Sequence, residues 1–427
     1  MVQRISKLEQ QSSNLNVHVP GVSLRHLRSA LYVAELKNVT RAADKLNRSQ
    51  TTVTKAIFEL ESTLGKRLFD RTSTGMMPTV YGEALAQRVR LAINEFEKAD
   101  SSIREFKPGG SNNPSKPVFS LDISYKRLVA FIALYEKRSF SAAAETLGIS
   151  KTAIYNSMRY LEGLIGLPLF QTEPHGVTPT GLATTLVRHT KLAFSQIHQA
   201  IDDIASLDGV TQGRVIVGTL PYTRTYLTPV AINRLLDGYP QIDVVTQEGP
   251  YSSLEASLRS GDIDFIVGAI RNVDERTDIL TEKLFEDRLS VIARKDHPLA
   301  GKARIDFKDL QDELWVLPAR GSPSRGLFDE TLMRHDMQVP EHAVETSSLS
   351  LIRGLLLDSD RLALLSKHQI HYDMKFNILD VLPVVLEDTY RPIGLTLRAH
   401  TQPSPAAELL LGYLREVAGE IQQQSQE

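Results

Sequence analysis

A stretch beginning near Leu24 recurs about a hundred residues later. With Leu27 placed on Leu128, Glu35 falls on Glu136, Ala42-Ala43 on Ala143-Ala144, Leu46 on Leu147, Ser49 on Ser150 and Thr51 on Thr152. Further on, Leu60-Glu61 meets Leu161-Glu162, Gly65 meets Gly166, Leu68-Phe69 meets Leu169-Phe170 and Gly75 meets Gly176. A register held through three predicted helices marks a duplicated folding unit.

At 427 residues the chain exceeds a single core, so two to four domains are expected. It contains no cysteine, which excludes disulfides, thiolate metal sites and a cysteine nucleophile. No run of some eighteen apolar residues and no secretory pattern occurs, so a cytoplasmic protein with no membrane partner is expected. The net charge of -2 hides an asymmetry. Leu24 to Thr79 carries ten cations against five acids, and Ser124 to Thr180 carries six against four, leaving -9 for the rest. Positive charge is concentrated where phosphate would be met.

In the first copy, apolar residues from Leu24 through Leu31 to Leu36 keep helical spacing until Asn38. Thr40 is placed to cap a short second helix that turns Ala42, Ala43 and Leu46 inward, and Ser49 to cap a third. Along the third helix Val53, Ile57, Leu60 and Leu64 form one stripe, so Gln50, Thr51, Thr54, Lys55 and Phe58 face outward. The second copy repeats the stripe with Ile154, Met158, Leu161 and Ile165, and exposes Lys151, Thr152, Tyr155, Asn156 and Arg159. Such polar faces suit base edges and phosphates in a major groove. Asp70 to Thr79 and Gln171 to Pro179 read as two-stranded wings turning at Gly75 and Gly176. They are expected to differ, because Gly75 to Gly82 is two residues longer than Gly176 to Gly181 and Thr172 replaces Arg71.

Asn38 to Thr72 resembles the winged helix-turn-helix of LysR-type transcriptional regulators, with AA, SQ, LE, LG and LFxR landmarks all present. Ser139 to Thr172 resembles the same module without the glutamine after Ser150 and without the wing arginine. The resemblance implies DNA contacts by Ser49, Gln50, Thr51, Thr54, Lys55 and Arg71. The matching positions of copy two are Ser150, Lys151, Thr152, Asn156 and Arg159. Members of that family carry one such unit, so the duplication is a departure.

The expected organisation is a disordered tail (1–22), a first winged domain (23–80) with its linker helix (81–106), and a flexible linker (107–122). A second winged domain (123–180), a second linker helix (181–208) and an effector-binding domain (213–427) follow. Leu85, Val89, Ala92, Ile93 and Phe96 mark one face of the first linker helix; Leu186, His189, Leu192, Ala193 and Ile197 mark one of the second. In LysR-type proteins such helices pair antiparallel. Some 15 extended residues span about 50 Å, and a 25-residue helix is about 38 Å long. One chain can therefore form an internal pseudo-dimer whose heads read unlike half-sites, besides the homo-oligomers (dimer or tetramer) that the family implies. An operator with two identical inverted half-sites per chain pair would count against it.

From Gly213, strand-like segments (Arg214 to Val217, Asp243 to Gln247, Phe265 to Gly268, Ser290 to Arg294, Leu314 to Leu317) alternate with helical ones, which predicts an α/β region with a mainly parallel sheet. Its order resembles the two-lobed, periplasmic-binding-protein-like effector domain of LysR-type proteins, and its last segments resemble the subgroup concerned with sugar or aromatic-acid catabolism. Effector contacts are expected at strand ends and helix N-termini. The candidates are Thr219, Tyr222 and Thr223, Tyr251 and Ser252, Arg320, Gly321 and Ser322, and Thr346 with Ser347. Arg320 is the expected carboxylate anchor.

Catalytic, metal and cofactor sites are not expected. GSPSRG, Gly321 to Gly326, has the wrong glycine spacing for a nucleophile elbow, no Walker or dinucleotide motif occurs, and His368 with His371 lacks further ligands. The sequence thus reads as a transcription factor with double-stranded promoter DNA, a small-molecule effector and RNA polymerase as candidate partners. The rivals are a small-molecule-binding protein whose winged units serve assembly, and an α/β hydrolase.

Overall fold

The computed structural model describes residues 22–73, 75–106, 117–174, 176–209, 211–271, 278–399 and 401–424. The expected disordered tail, except its last residue, and positions 107–116 of the expected linker lie outside the described residues. The chain divides into two compact units, Met1–Gln212 with Ser260–Asp262, and Gly213–Arg259 with Ile263–Glu427.

In the first unit, α1 (Leu24–Leu36), α2 (Val39–Leu46) and α3 (Gln50–Leu64) lead into a hairpin of β1 (Phe69–Thr72) and β2 (Gly75–Pro78), then the long α4 (Val80–Phe106). The second head repeats this with α5 (Tyr125–Lys137), α6 (Phe140–Leu147), α7 (Lys151–Ile165), β3 (Phe170–Glu173), β4 (Gly176–Pro179) and α8 (Gly181–Ser206). Val53, Ile57 and Leu60, and in the second head Ile154, Met158, Leu161 and Ile165, bury the stripe of each third helix.

The landmark residues have mechanical roles. Glu61 Oε1 accepts from the backbone N–H groups of Leu68 (2.8 Å) and Phe69 (3.2 Å), tying α3 to the start of the wing. Glu162 does the same for Leu169 and Phe170. At Gly75 the backbone has φ +145°, and a Cβ there would stand 2.3 Å from the Lys37 carbonyl oxygen. That carbonyl accepts from Met76 N at 3.0 Å, so the wing turn is docked against the end of α1. Two expectations change. The cap of α2 is Asn38, whose side chain accepts from Arg41 N, because its extended backbone directs that oxygen at the free amide; Thr40 lies inside the helix. The wings are equal in length: Thr79 and Thr180 each donate a backbone N–H to the residue before their first wing strand, Leu68 and Leu169, both at 2.9 Å. The offset of 101 therefore persists, and Gly181 matches Val80 rather than Gly82.

Helices α4 and α8 pack antiparallel within one chain. Near the start of α4, Tyr81 Oη donates to Asp208 Oδ1 (2.8 Å), while farther along Glu95 meets His189 Nδ1 (2.8 Å). Leu85, Val89, Ala92 and Phe96 and their counterparts Leu186, Ala193 and Ile197 are buried between them. After the linker, Phe119 packs on Phe96 with ring centroids 5.6 Å apart.

The second unit holds β5 (Gly213–Thr219), α9 (Leu227–Gly238), β6 (Ile242–Glu248), α10 (Tyr251–Ser260), β7 (Phe265–Ala269), β8 (Ile279–Arg294), β9 (Trp315–Leu317), α11 (Pro323–Arg334), β10 (Val344–Glu345), α12 (Leu349–Leu357), β11 (Leu362–Ser366), α13 (His371–Lys375), β12 (Leu379–Val381), β13 (Tyr390–Arg398) and α14 (Pro405–Gln424). The main strand order is β10-β9-β11-β8-β13-β7-β5-β6, with β12 also on β8. Parallel pairing holds for β5 with β6 and β7, and for β9 with β10 and β11. The centre is antiparallel, with β13 against β7 and β8, and β8 against β11 and β12. This corrects the expectation of a mainly parallel sheet: Ser290 to Arg294 is only the end of a 16-residue strand, and β13 had not been read as a strand. These long strands cross between two lobes with separate cores, one around Val215, Phe265 and Leu395 and the other around Trp315, Phe328 and Leu364. Among the described residues no helix is long and apolar enough to cross a membrane.

Candidate nucleic-acid interface and effector cavity

In the first head, α3 and the wing enclose an open groove lined by Gln50, Thr51, Thr54, Lys55 and Phe58 on the helix and Arg71 on β1. Lys66 and Arg67 at the turn between them complete its cationic rim. Ser49 lies at the helix start, its Oγ accepting from Thr52 N at 3.2 Å, so it acts first as a cap. Phe58 is 70% exposed, an apolar group held in water beside these cations. Sequence reasoning did not single out Lys66 and Arg67. Their signal was the basic pair directly before the Leu-Phe landmark. Lys66 is partly committed, pairing with Asp208 at 2.6 Å, and the hydrogen bond to that carboxylate raises its pKa.

The second head repeats the scaffold with different chemistry. Ser150 caps α7 by accepting from Ala153 N, while Lys151, Thr152, Asn156 and Arg159 are exposed. At the offset of 101, Lys55, Lys66, Arg67 and Arg71 become Asn156, Leu167, Pro168 and Thr172, so the four cations of the first groove are replaced, while Lys151 and Arg159 stand where the first head has Gln50 and Phe58. Tyr155, half exposed, leans on Phe140 with centroids 6.1 Å apart. The guanidinium of Arg127 stacks on Tyr160 at 3.7 Å, which uses one remaining cation within the head.

In the second unit, a cavity of about 100 Å³ lies where β5, β9 and β11 end. Of the expected effector residues, Tyr222, Ser322, Thr346 and Ser347 line it. Thr219 and Thr223 do not; both are buried, and Thr219 Oγ1 accepts from Arg224 while Thr223 Oγ1 donates to the carbonyls of Leu220 and Val267. Tyr251 and Ser252 are also absent from the lining, although Tyr251 carries the Arg271 guanidinium on its ring at 4.7 Å. Arg320, the expected anchor, does not line it: its side chain is 82% exposed and ion-pairs with Glu345 at 3.3 Å, placing it with Gly321 on an outer surface.

The cations that do line the cavity are Arg271 and Arg391. Arg391 is buried; its Nε and Nη2 each donate to Asp287 Oδ2 at 3.1 Å, and Nη2 also reaches Gln369. Its Nη1 donates to Ser324, and the guanidinium lies 5.1 Å from the centroid of the Tyr222 ring. Burial raises the Asp287 pKa against the pull of Arg391. Burial, reinforced by the Asp287 charge, also pushes the Tyr222 hydroxyl upward. That hydroxyl lies against Asp287 and Ser366, whereas Nε of Arg271 has no hydrogen-bond partner and Nη1 of the same residue donates to the Gly321 carbonyl. The starts of α11 and α12, capped by Ser322 and Ser348, add free backbone amides close to Thr346 and Ser347. Sequence reading missed Arg391 because it sits in the strand that had not been recognised.

Residues 208–419 match the LysR substrate binding domain, and residues 24–83 and 125–183 each match the bacterial regulatory helix-turn-helix of the lysR family. The chain is 35% identical over 406 residues to the HTH-type transcriptional regulator GalR of Pseudomonas putida, covering 95% of this chain and 99% of that protein. It is 28% identical over 299 residues to PcaQ of Agrobacterium fabrum, covering 70% and 96%. Among solved structures, the LysR family regulator CbnR aligns with a TM-score of 0.51 at 16% identity, over 69% of this chain and 99% of its own, a likeness of fold. The GalR alignment is thus long enough to include both heads, whereas the other two leave nearly a third of this chain unmatched.

Proposed function

Because the chain belongs to the LysR family of transcriptional regulators, we propose that its first head supplies the main grip on promoter DNA and its second head reads a different, more weakly held half-site. It is a DNA-binding regulator with an effector-binding domain, not an enzyme. The observation that carries the proposal is the groove between α3 and the first wing, where Gln50, Thr51 and Thr54 stand among Lys55, Arg67 and Arg71. Amide and hydroxyl groups suit base edges, and the cations suit flanking phosphates. In the second head Lys151, Thr152, Asn156 and Arg159 take these roles with fewer cations. The chain acts in the cytoplasm, where it meets metabolites and RNA polymerase at the promoter, and homo-oligomers of it carry four or more heads.

The effector we propose is a small carboxylate. Arg271 Nε offers an unsatisfied donor, and two helix starts offer amides. The present volume is below the ~300 Å³ of common ligand clefts, so binding widens the cavity and favours one arrangement of the lobes over another.

The test is anisotropy titration of the full chain on its own promoter fragment and on random duplex across a salt series. Lys55→Ala and Arg71→Ala are each expected to reduce the salt slope by about 1. Equal affinity for promoter and random duplex would overturn the reading.

A further inference from the structure

We propose that the face of α4 is built to accept α8 of its own chain and to refuse α4 of a second chain, so that every polypeptide carries a fixed pair of unlike heads. Polar contacts cross this helix pair, and the offset of 101 decides which partner can supply them.

Arg88 is 1% exposed and donates to Asp203 (Nε, 2.7 Å; Nη2, 3.3 Å), Gln199 (2.8 Å) and Gln196 (3.2 Å). At the pseudo-symmetric place, His189 meets Glu95 at 2.8 Å, and Glu95 also accepts from Lys98 at 2.6 Å. At the edge, Asp208 receives both Lys66 and Tyr81. An apolar helix face alone would not choose between partners. Buried charges do choose, because a mismatch leaves them uncompensated.

The mismatch can be read residue by residue. In an α4–α4 pair the counterparts of Gln196, Gln199 and Asp203 are Glu95, Lys98 and Ser102. Arg88 then exchanges its Asp203 carboxylate for Glu95, which Lys98 of the same helix already holds, and faces a lysine in place of the neutral amide of Gln199. The counterpart of Asp208 is Lys107 by sequence, so Lys66 has no acid to meet. In an α8–α8 pair Asp203 and Asp208 find neither arginine nor lysine, since Arg88 is replaced by His189 and Lys66 by Leu167. Over these positions the first head brings four cations, counting Lys107 by sequence, and one carboxylate, and the second brings two carboxylates and no lysine or arginine. Only the unlike pairing sets the carboxylates of one head against the excess cations of the other. Given the DNA-binding role proposed above, one chain then spans two unlike half-sites.

The test does not involve DNA, so its failure is distinct from failure of that reading. The chain has no cysteine, and Ala92 and Ala193, both fully buried, lie between Arg88 and Glu95 on α4 and between His189 and Gln196 on α8. The full-length Ala92→Cys/Ala193→Cys variant is oxidised and run on non-reducing gels beside each single variant. The expected result is an internal link in the double variant, migrating as one chain, and no linked dimer from either single variant. Arg88→Asp is expected to slow the internal link at least tenfold, and Arg88→Asp/Asp203→Arg to restore it. Linked dimers from Ala92→Cys alone, linkage between chains in the double variant, or no linkage at all would overturn the proposal.

Discussion

Replacing Arg391 by Met removes the cation that compensates Asp287 while keeping most of the side-chain volume. Asp287 is 4% exposed, and without Arg391 its carboxylate keeps only hydroxyl partners, Ser366, which donates at 2.6 Å, and Tyr222. Removing one partner of a buried ion pair costs about 3–5 kcal/mol. For a unit of this size that corresponds to a fall in Tm of roughly 6–20 °C. The chain supplies its own probe, because Trp315 is its only tryptophan and lies 1% exposed in the α/β unit, 5.1 Å from Phe328 by ring centroids. Tryptophan fluorescence therefore follows this unit alone, while far-UV circular dichroism is dominated by the helices of the first. The fluorescence transition should move and the main helical transition should not. Asp287→Asn in the Arg391→Met background should recover about half of the loss, since a neutral amide tolerates burial better than a lone carboxylate. A shift below about 1 °C in Arg391→Met, or a second substitution as costly as the first, would refute the reasoning.

Three further outcomes follow from local geometry. Gly75→Ala should destabilise the first head by about 1–3 kcal/mol and weaken its half-site alone, because the new Cβ meets the Lys37 carbonyl at a positive-φ position; circular dichroism melting and binding assays read both effects. Glu61→Ala should cost about 1–2 kcal/mol by freeing the Leu68 and Phe69 amides, and hydrogen exchange at those two amides should rise. His368 is pushed down to about 4, chiefly by burial and then by Lys367 and His371. The unfolded chain therefore takes up this proton first, and stability of the α/β unit should fall as pH drops from about 6.5 towards 4, by about 2 kcal/mol after allowing for partial exposure; His368→Gln should flatten that limb.

Much of the first unit was legible because its signals are local. The apolar stripes Val53-Ile57-Leu60 and Ile154-Met158-Leu161, the serine caps and the turn glycines each depend on a few neighbouring residues. The wing comparison failed where Gly82 and Gly181 were matched by identity, although the backbone bonds of Thr79 and Thr180 keep the original offset. In the α/β unit the cavity depends on side chains brought together across the sheet. Tyr222, Ser322, Thr346 and Ser347 could be placed near strand ends, but the Asp287–Arg391 pair joins residues 104 positions apart. Arg320 looked like an anchor beside a glycine, and only the fold shows Glu345 already holding it on an outer surface.

Footprinting of the full chain on its own promoter tests the central claim most directly, with Lys55→Ala and Asn156→Ala compared against the unaltered protein. The expected result is two unlike protected half-sites, one lost with Lys55→Ala and the other weakened with Asn156→Ala. Identical half-sites, or an Asn156→Ala footprint unchanged from that of the unaltered chain, would contradict it.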